Sequence, residues 1–383
     1  MIQYFKKYRT TKYQLNIIGM IVFLLFSLSV SAQRTAKASI KMAEEKEQAK
    51  DYAAALSFYN KAVELKPASE NYCKRGKLKI SMNDNKGALE DLNAAIKNNP
   101  MYAEAYCYRG IANNGMKEYK SAIQDFDKAI QLKYSAADLY FNRALAKVVL
   151  KDNAGATADL SKTIELKPDH VEAYYQRGLI KADQKETASA IADFTKAIEL
   201  KSDYADAYHS RGMAKDQLDD QTGAMADYGS AIKYAPDYFV FYYRGSSKGR
   251  AEDYTGALDD LNKAIALKDS DPEAFFYRGA TKLELKDYQG ALQDFGRAIE
   301  LNSKYANAYF NRGICKGKLK DDKGAIEDFT KVIEINPNDA EAYFNRGGAK
   351  FNTWDFVAAC PDFKRALELG KMEAEKYYPR YCH

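Results

Sequence analysis

The chain has 383 residues, which at about 150 residues per domain suggests two or three globular domains. Its 46% hydrophobic and 29% charged composition, with only 8 Pro, excludes a disordered or collagen-like chain. The formal charge of +5 argues for nucleic acid only until the first 32 residues are set aside: they hold Lys6, Lys7, Arg9 and Lys12 and no acid, so the rest is near neutral at +1. The outstanding compositional feature is 13% aromatic residues, with 30 Tyr against one Trp.

Residues 1–32 read as an export signal. A basic stretch precedes an uncharged run from about Leu15 to Val30, and Val30-Ser31-Ala32 places small residues where signal peptidase prefers them, leaving Gln33 as the new N-terminus. The alternative is an uncleaved anchor, since the run is near the lower limit for crossing a bilayer. No Cys ends the run, which argues against a lipid anchor.

From residue 36 onward the chain repeats itself. Arg-Gly or Arg-Ala recurs at Arg75, Arg109, Arg143, Arg177, Arg211, Arg244, Arg278, Arg312 and Arg346, at intervals of 34 residues with one of 33. An Ala follows each small residue by twelve, from Ala88 to Ala359, and a tenth copy without Arg-Gly precedes them at Ala43, Ala55 and Ala62. The ten units start near residues 36, 69, 103, 137, 171, 205, 238, 272, 306 and 340. Each carries two short amphipathic stripes, predicting two helices. One register just before the second stripe holds Asp in eight units and Glu118 or Glu186 in the others, a helix-capping position. Recurrent Gly or Ala within the helices marks close packing, with Leu92, Phe126, Phe194, Tyr228, Phe295 and Phe329 expected to fill the space toward the next unit.

A 34-residue helix-turn-helix with an aromatic residue at position four, Gly or Ala at eight, Ala at twenty, an aromatic or Leu at twenty-four and Ala at twenty-seven resembles the tetratricopeptide repeat family. The resemblance implies an all-α, right-handed superhelical solenoid over 36–370, of ten helix-turn-helix units, closed by a capping helix and tail at 371–383. The sequence departs from the family by placing Arg at position seven in nine units and Lys at eleven in eight, Asn113 being the exception. Asp recurs at position twenty-three from Asp91 to Asp362, and the first unit lacks both partners, with Met42 and Phe58 in those registers. This joint absence predicts a structural series of ion pairs, typified by Arg177, Lys181 and Asp193. The rival reading is a basic stripe gripping an anionic polymer.

For function the resemblance implies protein or peptide binding in a concave groove lined by first helices. Position five, expected in that groove, reads Cys73, Cys107, Phe141, Tyr175, His209, Tyr242, Phe276, Phe310 and Phe344, with an acidic margin at position two from Glu70 to Glu341. These rings either grip an extended peptide or amphipathic helix, or only pack between neighbouring helices. The Lys and Asn set with which some relatives hold a C-terminal carboxylate is missing. No Walker loop, His-Glu-x-x-His, Cys-x-x-Cys or Gly-x-Ser-x-Gly occurs, so neither a metal, a cofactor, a small-molecule substrate nor an enzymatic activity is expected.

Among the five cysteines, Cys73 and Cys107 share one register in adjacent units and are expected too far apart to bridge. Cys315 reads as core. Cys360 and Cys382 flank the turn at Gly370, so an antiparallel hairpin brings them together as a candidate disulfide. The chain ending resembles those of exported repeat proteins of Bacteroidetes-type bacteria. The expectation is therefore a non-enzymatic scaffold in the periplasm or cell envelope, touching the membrane only if the signal is retained. The alternative is an envelope-polymer or carbohydrate binder using the groove aromatics.

Overall fold

The computed structural model describes residues 35–378 and Cys382, so the expected export segment lies outside the described residues. Twenty α-helices follow one another in ten pairs, with no strand among the described residues. In chain order they are α1 (35–48), α2 (Tyr52–Leu65), α3 (Ser69–Ser81), α4 (Asn85–Asn98), α5 (Ala103–Gly115), α6 (Tyr119–Gln131), α7 (Ala137–Val149), α8 (Asn153–Leu166), α9 (Val171–Asp183) and α10 (Thr187–Leu200). They continue as α11 (Ala205–Gln217), α12 (Gln221–Tyr234), α13 (Tyr238–Arg250), α14 (Tyr254–Leu267), α15 (Pro272–Glu284), α16 (Tyr288–Leu301), α17 (Ala306–Lys318), α18 (Asp322–Ile335), α19 (Ala340–Asn352) and α20 (Phe356–Glu368). The chain divides into two units after Ile180; in the first, α2 to α8 pack each on its sequence neighbours, and in the second α10 to α20 do the same. Two or three globular domains are thus replaced by stacked helix pairs.

The turn inside each pair is one motif written ten times. The residue at position fifteen takes a left-handed backbone in every repeat, with φ between 59° and 67°, and none of the ten is Gly. The N–H of position sixteen then donates to the carbonyl of position eleven, at 2.8–3.1 Å, satisfying a carbonyl that the first helix leaves open. At position sixteen the Asp side chain turns forward and accepts the third backbone N–H of the next helix, as Asp84 does from Gly87 at 2.9 Å. All eight Asp residues cap in this way, but Glu118 and Glu186 make no such bond. One extra methylene carries the carboxylate past the N–H it was expected to accept.

The core is a row of small residues and rings. Ala at position twenty is buried in every repeat. The residue at twenty-four lies against the Gly of its own repeat: a Cβ on Gly110 would come within 2.7 Å of the Phe126 ring, and one on Gly279 within 2.9 Å of Phe295. The ring also reaches the following repeat, Phe126 clustering with Leu139. The glycine is therefore empty chiefly to seat a ring, with the facing helix backbone, such as the Ala88 carbonyl 3.4 Å from a Cβ on Gly76, as the second neighbour.

Arg at position seven is held on three sides. Its Nε and one terminal nitrogen grip both oxygens of the Asp at position twenty-three, at 2.9 and 2.6 Å for Arg75 with Asp91, Arg109 with Asp125 and Arg278 with Asp294. Lys at position eleven adds a second cation, Lys181 lying 2.7 Å from Asp193 and Lys282 2.7 Å from Asp294, while Asn113 fills that register with an amide 3.0 Å from Asp125. The free terminal nitrogen of the Arg reaches back to position twenty-five of the preceding repeat: Arg109 to Asn93, Arg143 to Asp127, Arg177 to Ser161, Arg211 to Thr195, Arg278 to Asn262 and Arg346 to Thr330, at 2.6–3.1 Å. The guanidinium further lies over the aromatic ring at position four, 5.3–5.7 Å away in eight repeats. Seven of the 30 Tyr stand in this register.

At the C-terminal end the expected capping helix is instead one short 3-10 turn, Met372–Lys376. Three residues per turn put Ala374 and Tyr377 on one side. Ala374 is fully buried and Tyr377 stacks on Phe363 with centroids 4.9 Å apart. Cys360 and Cys382 are disulfide-bonded, with Cα atoms 5.5 Å apart. Cys73, Cys107 and Cys315 are buried free thiols.

Candidate functional site

The position-five rings are half-buried wedges, and their faces are largely committed. Phe276 packs on Phe295 at 5.8 Å and Tyr305 at 5.0 Å, Phe310 on Phe329 at 5.6 Å, Phe344 on Phe363 at 6.1 Å and Phe141 on His170 at 4.6 Å. Tyr242 meets Tyr243 and Tyr277 edge-on, at 5.1 and 5.7 Å. Tyr175 is likewise half-buried, and Cys73 and Cys107 are buried outright. Most of these contacts lie within one repeat, Tyr242 to Tyr277 crossing to the next, so the rings serve packing first.

His209 holds the same register with a different chemistry. Its ring lies 5.3 Å from Tyr243 and 6.1 Å from Tyr228, and its buried Nε2 has no hydrogen-bond partner among the described residues. Burial lowers its pKa below the ordinary 6.5, against the opposing pull of Asp237 and Asp206.

Much of the acidic margin at position two is spent inside the protein. Glu104 accepts from the Tyr102 hydroxyl at 3.1 Å, Glu172 from Gln176 at 2.8 Å, and Glu341 pairs with Lys371. Burial and a hydrogen bond to Glu273 push the Tyr305 hydroxyl well above the usual phenol range.

What the first-helix face leaves open is a recess of about 400 Å3 between α17 and α19. Ile314, Phe344 and Tyr377 form its apolar wall, and Asn345, Asn352 and Lys318 its polar edge. Its space comes from Gly317 and Gly348, where a Cβ would meet nothing within 4 Å. Most helical glycines of this chain seat a ring or face a capping carboxylate, but these two fulfil no packing need, although each weakens its helix by about 0.5–1 kcal/mol relative to Ala. The register carried the signal: position nine is Ile111, Leu145, Leu179 and Met213 in repeats three to six, and Gly348 in the tenth. Reading position five alone missed it.

Models of the tetratricopeptide repeat family match residues 36–69, 73–138, 171–204, 205–238 and 306–339, and a further model, described as TPR repeat, matches 279–320. No curated protein is a significant match to the sequence. Among solved structures, YrrB, titled a TPR protein with an unusual peptide-binding site, is 26% identical with a TM-score of 0.44, over 48% of this chain and 95% of that one. The MamA protein is 27% identical, TM-score 0.42, over 45% and 94%. A tetratricopeptide repeat protein from Parabacteroides merdae is 19% identical, TM-score 0.45, over 64% and 98%.

Proposed function

Because the chain belongs to the tetratricopeptide repeat family, whose matches together span more than half of it, we propose that it is a non-enzymatic scaffold of the cell envelope that holds a protein or peptide partner against its first-helix face. The observation that carries this reading is the recess between α17 and α19, where two helices forgo side chains at Gly317 and Gly348. An apolar wall of Ile314, Phe344 and Tyr377 suits a large apolar side chain, and the amides of Asn345 and Asn352 suit the polar backbone beside it. The export-like pattern of residues 1–32 and the disulfide between Cys360 and Cys382, which suits an oxidising compartment, support a location outside the cytoplasm. The polymer-binding reading loses ground in the groove because the position-five rings pack against other rings of the fold.

The test is panning of a displayed random-peptide library on the wild type and on Gly348→Leu, which places in the recess the side chain that Leu145 and Leu179 carry in the same register. The proposal expects peptides enriched on the wild type to lose binding at least tenfold on the variant, while the thermal melt stays where it was. Equal binding by both proteins removes the recess from the function.

A further inference from the structure

The one tryptophan stands in a place that nothing in the fold requires. Position fifteen of the other nine repeats is Lys, Asn, Asp or Glu, side chains that leave the left-handed turn for solvent; in the tenth it is Trp354, at φ 64° and 82% exposed. A bulky aromatic residue is a true outlier in this backbone region. An edge-on contact with Phe356 at 5.9 Å leaves most of the indole in solvent, which directs the explanation toward a ligand.

Around Trp354 lies a recess of about 320 Å3, lined also by Phe351, Phe356, Lys320, Asp322 and Asn352. The rings stand edge to face, Phe351 to Phe356 at 4.7 Å and Trp354 to Phe356 at 5.9 Å, so they make the walls of a cleft and not a flat plate. Facing them is a polar group already in position: Asn352 donates to Asp322 at 2.9 Å, which leaves the other carboxylate oxygen and the Asn352 carbonyl as acceptors, with the Lys320 ammonium as donor. Lys320 and Asp322 cancel in charge, so the site has no bias toward an anionic ligand or an anionic lipid surface.

We propose that this recess binds a neutral carbohydrate. A hexose ring presents an apolar face of C–H bonds, which stacks on an exposed indole, and a rim of hydroxyls that both donate and accept. The cleft offers an aromatic wall beside a carboxylate, an amide and an ammonium, which is that pattern in complement. The site is on the helix-turn edge of the tenth repeat. It is separate in chemistry from the first-helix recess, although the two share Lys320, Asp322 and Asn352 along their border.

Because Trp354 is the only indole, its emission reports the site directly in the full-length protein. Titration with cellohexaose and with chitohexaose is expected to give a saturable change in emission with at least one of them. Calorimetry with the same sugar should show at least tenfold weaker binding for Trp354→Lys, a side chain that six other repeats carry in this turn, with an unchanged thermal melt; Gly348→Leu should bind the sugar as the wild type does. Absence of any saturable change with either sugar overturns the proposal. So does an emission shift seen only with phosphatidylglycerol vesicles, which assigns Trp354 to a membrane surface, or one that follows protein concentration alone, which assigns it to self-association.

Discussion

Asp260 shows what one residue of the repeated clasp contributes. Its side chain is fully buried, yet Arg244 and Lys248 reach it at 2.6 and 2.8 Å and keep about a fifth of their own surface in solvent. Burial alone would raise its pKa, but the hydrogen bonds and charges of the two cations outweigh burial and hold the carboxyl below its ordinary value. Folding therefore gains stability from this group above the ordinary carboxylate range and loses it as pH falls toward the depressed value. Asp260→Asn leaves two cations beside a neutral amide and is expected to cost about 2–3 kcal/mol at neutral pH, the lower end of what breaking a buried pair costs because the cations remain partly solvated. A denaturant midpoint measured at pH 7 and again at pH 3 checks both parts, since the gap between variant and wild type should narrow in acid. His209 titrates with the opposite logic. Its folded pKa lies below the ordinary 6.5, so the folded state resists a proton that the unfolded chain accepts, and stability falls as pH drops below 6.5. His209→Phe, which restores the ring of Phe276 and Phe310, should raise the melting temperature more at pH 5 than at pH 8.

At the scale of the helix pair, the ten turns carry a strain that natural selection has left in place. A non-Gly residue in the left-handed region costs about 1–2 kcal/mol, and the gain in relieving it is partly offset by the freedom of Gly in the unfolded chain. Lys286→Gly is expected to raise stability by about 0.5–1 kcal/mol, read as an upward shift of the melting temperature. This turn was not legible in the sequence because the expected marker, a Gly after the helix, is absent from all ten copies. The helix pairs themselves were legible, since their period, their small residues and their Asp caps are all local signals repeated ten times. The pairing of Arg with Asp at sixteen residues' distance was legible from their joint absence in the first repeat. The backward reach of Arg to position twenty-five was not, because that register mixes Asn, Asp, Ser, Thr and Gly and shows no single residue type. Its meaning appears at its exceptions: Gly229 and Gly296 bring no side chain to the next Arg. Thr330→Ala should therefore weaken the contact between the ninth and tenth repeats, lowering hydrogen-exchange protection in α19 more than in α15.

Across the molecule, stacked repeats gather stability from neighbours, so a change at one end is felt near that end. Reducing the Cys360–Cys382 bridge opens a loop of 22 residues and is expected to remove about 3 kcal/mol from the last repeat, by loop-closure entropy, while earlier repeats keep their protection. Of the candidate site, the sequence disclosed the face but not the place. Position-five rings were visible because they are large, whereas the recess is made by two side chains that are missing, and a missing side chain stands out only against the register of the other repeats. Whether that recess holds the partner is tested most directly by hydrogen exchange on the full-length protein with and without a library-selected peptide. Slowed exchange confined to Ala306–Lys318 and Ala340–Asn352 is the expected result. Slowed exchange confined to Asp322–Ile335 and Phe356–Glu368, on the second helices, would contradict it.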